Sequence, residues 1–435
     1  MTRQKKKKTQ KRPPIPTVHM SISPQGWGLR PAGEGAGDLL EDLGLPQGEL
    51  ERRARKNTCE WLVRQFDETT GAFHGYYDAR TRTRSEPQTV NLIAPFQCLA
   101  AFDRYHDEQF LRLARSAADW LHEHMVETHP MSLVLGGVRD NIKTTQLWTK
   151  YTADYVTLNL GLWERLAEEE YLHRAEQSSR FLLQSQNHQF APKYDHWQEG
   201  WLHKGWQSFG RVIAAMIALQ EFTQRPEWLQ RAIVWAEHGL RLQADNGCFH
   251  LINKNYYSSD IAADEIRGLI RVYLRTDDRR FLDAGLRFAD WHLEHQDEKG
   301  AWPLSEDRWG VPVTRYRGPG DMPNIAIALL LAHKTTGDST YVDGAAKALR
   351  YSMSQQQLPD GRGPYVDDPD THWGFWSWDP PYDYTMSADQ STHHARGYWF
   401  FIDYIAGLPE KAEARLRADL LGREPTAVAS EGASA

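Results

Sequence analysis

Residues 281–302 read FLDAGLRFADWHLEHQDEKGAW. Phe281, Leu282, Leu286, Ala289 and Leu293 recur at close to helical spacing, so 281–295 is expected to form an amphipathic helix with one apolar face. A polar stretch follows, and then Gly300-Ala301-Trp302. Glycine supplies the left-handed backbone that stops a helix, and the aromatic after it can fold back on the hairpin. The same ending recurs at Gly71-Ala72-Phe73, Gly247-Cys248-Phe249 and Gly363-Pro364-Tyr365.

Working outward, a bulky residue with a small one four positions on opens a helical pattern at Leu50/Ala54, Phe110/Ala114, Tyr171/Ala175, Trp228/Ala232, Phe281/Gly285 and Tyr341/Ala345, at intervals of 53 to 61 residues. Each such helix leads into a long stretch, then a more uniformly apolar helix such as 211–222 (RVIAAMIALQEF) or 323–334 (PNIAIALLLAHK), then a short polar turn such as 223–226 or 336–338. Uniform apolarity means burial. One hairpin cannot bury its own inner helix, so the six units must pack side by side. Divergent loops and the lack of a repeated surface motif favour a closed ring over an open solenoid. The expected fold is therefore all-α, an (α/α)6 barrel over residues 50–408. Residues 1–16 are expected to be a disordered basic tail, 17–49 an irregular N-terminal arm, and 409–435 a C-terminal helix with a disordered tail.

Of the 435 residues, 40% are hydrophobic and 25% charged, which suits a folded protein with a large core. The net charge of −7 argues against nucleic acid or an anionic membrane as partner, because phosphates require a basic surface. Lys5 to Lys8 are not followed by the apolar stretch of a secretory signal, and no apolar run is long enough to span a bilayer. With three cysteines lacking metal-ligand spacing, a reducing, cytoplasmic setting with free thiols is expected. The 17 Trp and 18 Tyr are unusual, many of them lying among Gly, Asp and His in the long stretches.

Alternation of long and short connections puts all the long loops on one face, where the inner helices also begin. Function belongs there, on loops held by a rigid scaffold and near the partial positive charge of helix N-termini. A sugar ring has an apolar face and a belt of hydroxyls, so its site combines flat aromatics with carboxylates, imidazoles and cations. Residues expected to bind it are His196, Trp206, Tyr256, Arg315, Trp373, Trp376, Trp378, Asp379, His394 and Arg396. Glycoside hydrolysis needs one carboxylic acid and one carboxylate. Asp260 and Asp264, one helical turn apart, and Asp321 and Asp389 at inner-helix starts are the candidates, although Asp at such a start is also a good N-cap. Elimination beside a uronate carboxylate would instead use Tyr or His, with Tyr151 and His393 as the candidates. Asp367, Asp368 and Asp370 lack the glycine and terminal Glu of a calcium loop, and the His393-His394 pair alternates direction. Neither a metal nor a cofactor is expected.

The six repeats, the phrase 281–302 with Gln296 and Gly300-Ala301-Trp302, and the 334–341 phrase Lys-Thr-Thr-Gly-Asp-Ser-Thr-Tyr resemble the six-hairpin glycosidase superfamily. The resemblance covers residues 50–408 and implies an α/α barrel with its cleft on the loop side. Unsaturated glucuronyl and rhamnogalacturonyl hydrolases of that superfamily use aspartates near inner-helix starts, and some polysaccharide lyases and sugar epimerases share the barrel. Gln296 and Gly300-Ala301-Trp302 are also similar to the repeats of terpene-cyclase toroids, but the Asp-x-Asp-Asp proton donor of those enzymes is missing. The leading expectation is a glycoside hydrolase acting on oligosaccharides, uronate-containing ones among them. A β-eliminating lyase and a non-catalytic carbohydrate-binding barrel are the alternatives. The expected partner is the sugar itself, and the oligomeric state is left open.

Overall fold

Leu50, Phe110, Tyr171, Trp228, Phe281 and Tyr341, which open the six repeats, are all buried, as are Ala54, Ala114, Ala175, Ala232, Gly285 and Ala345 four positions on. The small residue lets the outer helix approach its neighbour while the bulky one fills the gap beside it, so each repeat contributes one packed pair to a common core. The computed structural model describes residues 36–421 apart from 206, 251–255, 308 and 310. The expected tail at 1–16 and the part of the 409–435 segment from residue 422 on lie outside that range.

Helix α1 (Ala36–Asp42) precedes the ring. Outer and inner helices then alternate: α2 (Gln47–Lys56, continued by a π-helical turn Asn57–Leu62) and α3 (Ala94–Tyr105), α4 (Glu108–His124) and α5 (Thr149–Leu166), α6 (Glu169–Asn187) and α7 (Phe209–Thr223), α8 (Glu227–Leu240) and α9 (Ser259–Thr276), α10 (Arg279–His295) and α11 (Asp321–Thr336), α12 (Thr340–Ser354) and α13 (Ala388–Ala406). Helix α14 (Glu410–Leu421) follows. The inner helices pack in sequence from α3 to α13, and α13 returns to α3, which closes the ring. Each inner helix packs chiefly on the outer helix that follows it through a short turn, because a short turn forces an antiparallel neighbour. The last inner helix, α13, has no such successor in the ring and takes α2 from the other end of the barrel sequence. The expected all-α (α/α)6 barrel is the fold observed.

The short-turn rim follows one local rule. Helices α3, α5, α7, α9 and α11 end in a left-handed residue, His106, Ala167, Gln224, Asp277 and Gly337, with φ between 55° and 72°. Each donates its N–H to the carbonyl four residues back, meeting one of the acceptors a helix end leaves open. Asp107 and Asp278 then cap the next outer helices by accepting from the Gln109 and Arg280 N–H groups.

The long-loop rim differs from the irregular connections expected there, because its loops carry eleven short strands among the described residues. Those that matter most are β3 (Tyr76–Asp78), β6 (Gln146–Trp148), β7 (Lys193–Asp195), β9 (Tyr256–Ser258), β10 (Ser305–Asp307) and β11 (Thr385–Ser387), with β1, β2, β4, β5 and β8 completing small antiparallel pairings at 66–67, 72–73, 83–84, 138–139 and 200–202. Strand β11 pairs with β3, β6 with β7, and β9 with β10, in registers that set Thr385 opposite Asp78, Leu147 opposite Tyr194 and Glu306 opposite Tyr257. The six loops are thus stitched in three pairs: six with one, two with three, four with five. Strands β6, β9 and β11 run without a gap into α5, α9 and α13, so the strand pairing fixes where these inner helices begin.

Two local expectations are corrected. The arm before residue 50 is helical where described, since Leu39 and Leu40 on α1 are fully buried and α1 packs on α13. The Gly-aromatic motif does not itself stop the helix: α10 ends at His295, and Gly300 (φ +91°) closes a later turn by donating its N–H to the Asp297 carbonyl at 2.9 Å. Gly71 and Gly247 share its positive φ, whereas in the fourth copy it is Tyr365 and not Gly363 that turns left-handed. The aromatic does fold back: Trp302 is fully buried and its indole N–H donates to the His292 carbonyl at 2.7 Å.

Candidate active site

The long-loop face opens into a cleft of about 760 Å³. Its walls are Tyr76, Asp78 and Arg80 from β3 and the turn after it, Lys150 and Tyr151 from the first turn of α5, Ser258 and Ser305 from the β9–β10 pair, and Trp378, Asp383 and Thr385 from loop six. Asp321, Asp389 and Gln390 stand at the starts of α11 and α13, and Arg211 of α7 forms part of the floor.

Local chemistry explains how the two aspartates are presented. Neither caps its helix. The cap of α13 is Ser387, whose hydroxyl accepts from the Asp389 N–H at 3.2 Å. This leaves the Asp389 carboxylate turned outward and 41% exposed. Asp321 is almost buried, and its carboxylate accepts a 2.5 Å hydrogen bond from the Ser259 hydroxyl at the start of α9. The Gln390 side-chain oxygen accepts from the Gly320 N–H at 2.9 Å, tying the N-termini of α11 and α13 together. Asp321 and Asp389 therefore sit on adjacent inner helices and share one cleft. One turn below Asp389, the His393 Nε2 lies 3.4 Å from the Asp389 carboxylate, and its imidazole is nearly buried. Across the cleft, the Lys150 ammonium lies 4.8 Å over the Tyr151 ring, and Lys150 is 3% exposed, its charge held by the aromatic face as well as by its other neighbours.

Below the cleft floor the barrel axis narrows to a chamber of about 60 Å³. The Arg211 guanidinium joins the two levels: it donates to Asp264 at 2.6 Å and to Asp154 at 2.8 Å. Burial pushes the Asp154 carboxyl up to about 6, against the pull of Arg211. Arg267, one turn beyond Asp264, stands 3.6 Å from the same carboxylate. Glu265 is turned the other way, toward α7, where it accepts from the Gly210 N–H at 2.6 Å. That contact requires glycine, because a Cβ at 210 would fall 1.9 Å from the Asp264 carbonyl oxygen.

The structure thus brings Asp321, Asp389, Tyr151 and Trp378 to the cleft and puts Asp264, His393 and Arg396 around the chamber below. Asp264 is engaged in ion pairs with arginines. Asp260 lies in the first turn of α9 and Tyr256 in β9. Trp206 lies outside the described residues. The other expected binding residues are held elsewhere. Trp373 is buried beneath the Arg52 guanidinium, and Trp376 packs against Tyr365 and Tyr384 in a core of loop six. His394 is fully buried, stacked on Phe375 at 3.6 Å and hydrogen-bonded to Ser352, and burial drives its pKa well below the usual imidazole value. Asp379 accepts from the Tyr351 hydroxyl at 2.7 Å. His196 pairs with Glu127 at 3.3 Å on loop three, and exposed Arg315 donates to the Tyr316 hydroxyl at 2.9 Å. An aromatic platform remains at the rim, where the Trp378 and Tyr382 rings lie 6.0 Å apart beside Tyr316.

The sequence reading passed over Arg211, Arg267 and Arg271. The signal was available: Arg267, Arg271 and Arg275 are spaced by four along an inner helix expected to be buried, a stripe that an apolar helix does not carry without reason.

The ring, its closure and its one-sided cleft define the six-hairpin α/α toroid, a fold shared with several solved sugar-processing enzymes. Among them is a cellobiose 2-epimerase from Bacillus thermoamylovorans, with TM-score 0.67 and 12% identity over 82% of this chain and 98% of that one. A D-mannose isomerase gives TM-score 0.65 and 13% identity over 82% and 97%. The unsaturated glucuronyl hydrolase from Bacillus sp. GL1 gives 0.58 and 13% over 81% and 96%. At these identities the likeness is one of fold. No family model matches the chain, and no curated protein matches it in sequence. Among the described residues, no helix is long and apolar enough to cross a membrane.

Proposed function

We propose that the protein is a carbohydrate-active enzyme that hydrolyses a glycosidic linkage in the long-loop cleft, with Asp321 and Asp389 as its acid and base. The observation that carries the reading is the pair itself: two carboxylates on adjacent inner helices, in different surroundings, opening into one cleft. Asp321, the more buried of the two, is assigned as the acid that serves the leaving oxygen. The more exposed Asp389 is placed to activate water. Trp378 and Tyr382 offer the flat faces for a sugar ring. The epimerase, isomerase and hydrolase named above lend support as enzymes that act on sugars in this fold.

A second reading rests on the contact between Asp389 and His393. An imidazole oriented by a carboxylate can move a proton at carbon, as epimerisation or isomerisation of a reducing sugar requires. Incubation with neutral and uronate oligosaccharides in D2O separates the readings. New reducing ends without deuterium at carbon support hydrolysis. Deuterium at the carbon beside the carbonyl, with no cleavage, replaces it with the second reading. An unsaturated product would mean elimination, with Tyr151 and His393 as the groups to test.

A further inference from the structure

The long-loop face holds a second pocket, of about 530 Å³, which among the described residues shares no lining side chain with the cleft. Three segments build it: the C-terminal end of α6, the β7–β8 hairpin, and Leu133 and Val134 of loop two. In the hairpin register Tyr194 lies opposite Trp201, and their rings, 5.5 Å apart, give the pocket an aromatic wall. Around that wall stand the amides of Gln184, Asn187 and Gln189 and the carboxylate of Glu199. Among the described residues, none of these four side chains takes part in a hydrogen bond or ion pair. Their neighbours in the hairpin are tied down: Asp195 accepts from the Thr145 hydroxyl at 2.9 Å, and His196 meets Glu127 at 3.3 Å.

Two of these residues are exposed and left-handed: Gln189, just past the end of α6, has φ 56°, and Glu199, at the hairpin tip, has φ 49°. Glycine adopts that backbone at less cost. Each therefore presents a side chain to the pocket at a backbone cost that no hydrogen bond or ion pair of that side chain within the described structure offsets. Aromatic rings beside amides and a carboxylate match a pyranose, whose C–H face packs on rings and whose hydroxyls both donate and accept. The volume is that of a small-ligand site. The titratable groups of the lining are Glu199, His188, His203 and Tyr194, and among the described residues no lysine or arginine joins them. An acidic sugar would bring its charge toward the Glu199 carboxylate, so the lining favours a neutral one.

We propose that this pocket is a second carbohydrate site, separate from the cleft, which binds a neutral oligosaccharide by packing on Tyr194 and Trp201 and by hydrogen bonds to Gln184, Asn187, Gln189 and Glu199. Strand β7 pairs with β6, which runs into the helix that carries Lys150 and Tyr151, so a chain held here stays beside the loops of the cleft. The choice of a sugar as ligand rests on the carbohydrate reading as well as on the lining, and it stands whichever reaction the cleft performs.

The test is calorimetric titration of cellohexaose, mannohexaose and hexagalacturonate into the purified full chain carrying Trp378→Ala and Asp389→Asn, which impair the cleft. Saturable binding of at least one neutral hexaose is expected, and it should weaken about tenfold or more when Glu199→Gly is added, the cost of one charge-assisted hydrogen bond. Gln189→Gly should weaken it as well. Both glycine variants should melt no lower than their parent, because glycine relieves a left-handed backbone; residues that only shape their loops would leave binding unchanged. Hexagalacturonate should bind more weakly than the neutral hexaose. Lack of saturable binding by both neutral hexaoses, equal binding by the parent and the two glycine variants, or tighter binding of hexagalacturonate overturns the site. Sugar turnover plays no part in these readouts and every protein compared carries the same cleft substitutions, so failure here and failure of the proposed hydrolysis are told apart.

Discussion

On the short-turn rim, five inner helices end alike, each in a left-handed residue that bonds back to the carbonyl four positions before it. On the long-loop rim the connections are individual, stitched in three pairs by short strands and lined by carboxylates, aromatics and cations. The same twelve helices supply both rims. What differs is what each is free to vary: the short turns are held to one geometry by helix packing, while the long loops are anchored at both ends and can carry different side chains in between.

The largest expected effect tests whether chemistry is confined to the long-loop rim. Asp389→Asn should lower kcat by about 10²–10⁴-fold, the range for a lost acid–base group, while the melting temperature hardly moves because the side chain is substantially exposed. An active Asp389→Asn enzyme would move the reaction to other residues. Next, Gly210→Ala forces a Cβ onto the Asp264 carbonyl and should cost about 1–3 kcal/mol by denaturant unfolding. Unchanged stability would show that α7 and α9 can part without loss.

A smaller effect concerns how the long-loop rim is pinned. His292 on α10 is fully buried, donates from Nδ1 to the Phe288 carbonyl at 2.7 Å, and accepts at Nε2 from the Tyr257 hydroxyl of β9 at 3.1 Å. Burial lowers its pKa to about 3. The unfolded chain, with an ordinary imidazole, takes up the proton first, so stability is present above about pH 6.5 and is lost as pH falls from there toward 3. At pH 5 the loss is about 2 kcal/mol, and His292→Gln should remove that part of the acid sensitivity in parallel pH-dependent melts. The smallest effect belongs to the repeated rim. Ala167→Gly relieves a left-handed alanine (φ 55°) and should add about 0.5–1 kcal/mol; a loss would show that the caps are set by side-chain contacts.

The alternation of exposed and buried helices was legible because each repeat carries its own bulky–small pair and each inner helix is apolar on nearly all sides. Ring closure could be inferred but not read, since it rests on α13 meeting α2 and α3 across the whole barrel sequence. The strand stitches escaped notice because two- and three-residue strands have no periodicity to detect. At the site, Asp321 and Asp389 were legible by position. Sequence could not separate cap from catalyst, because the hydroxyl that bonds the Asp321 carboxylate belongs to Ser259, sixty-two residues away. Trp373 and Trp376 misled for a physical reason: an aromatic among Gly, Asp and His reads as exposed, yet loop six is long enough to build a core of its own around them. Arg267 and Arg271 were legible as charges spaced by four on an inner helix, but sequence alone did not mark which face of that helix meets the barrel axis.

The measurement that bears most directly on the proposed function is product analysis by NMR after incubating the purified protein and Asp389→Asn with neutral and uronate oligosaccharides. Cleavage by the parent protein, and none by the variant, is the predicted result. Unaltered sugars across the panel, or equal cleavage by both proteins, would contradict the assignment of this cleft as a carboxylate-driven hydrolase.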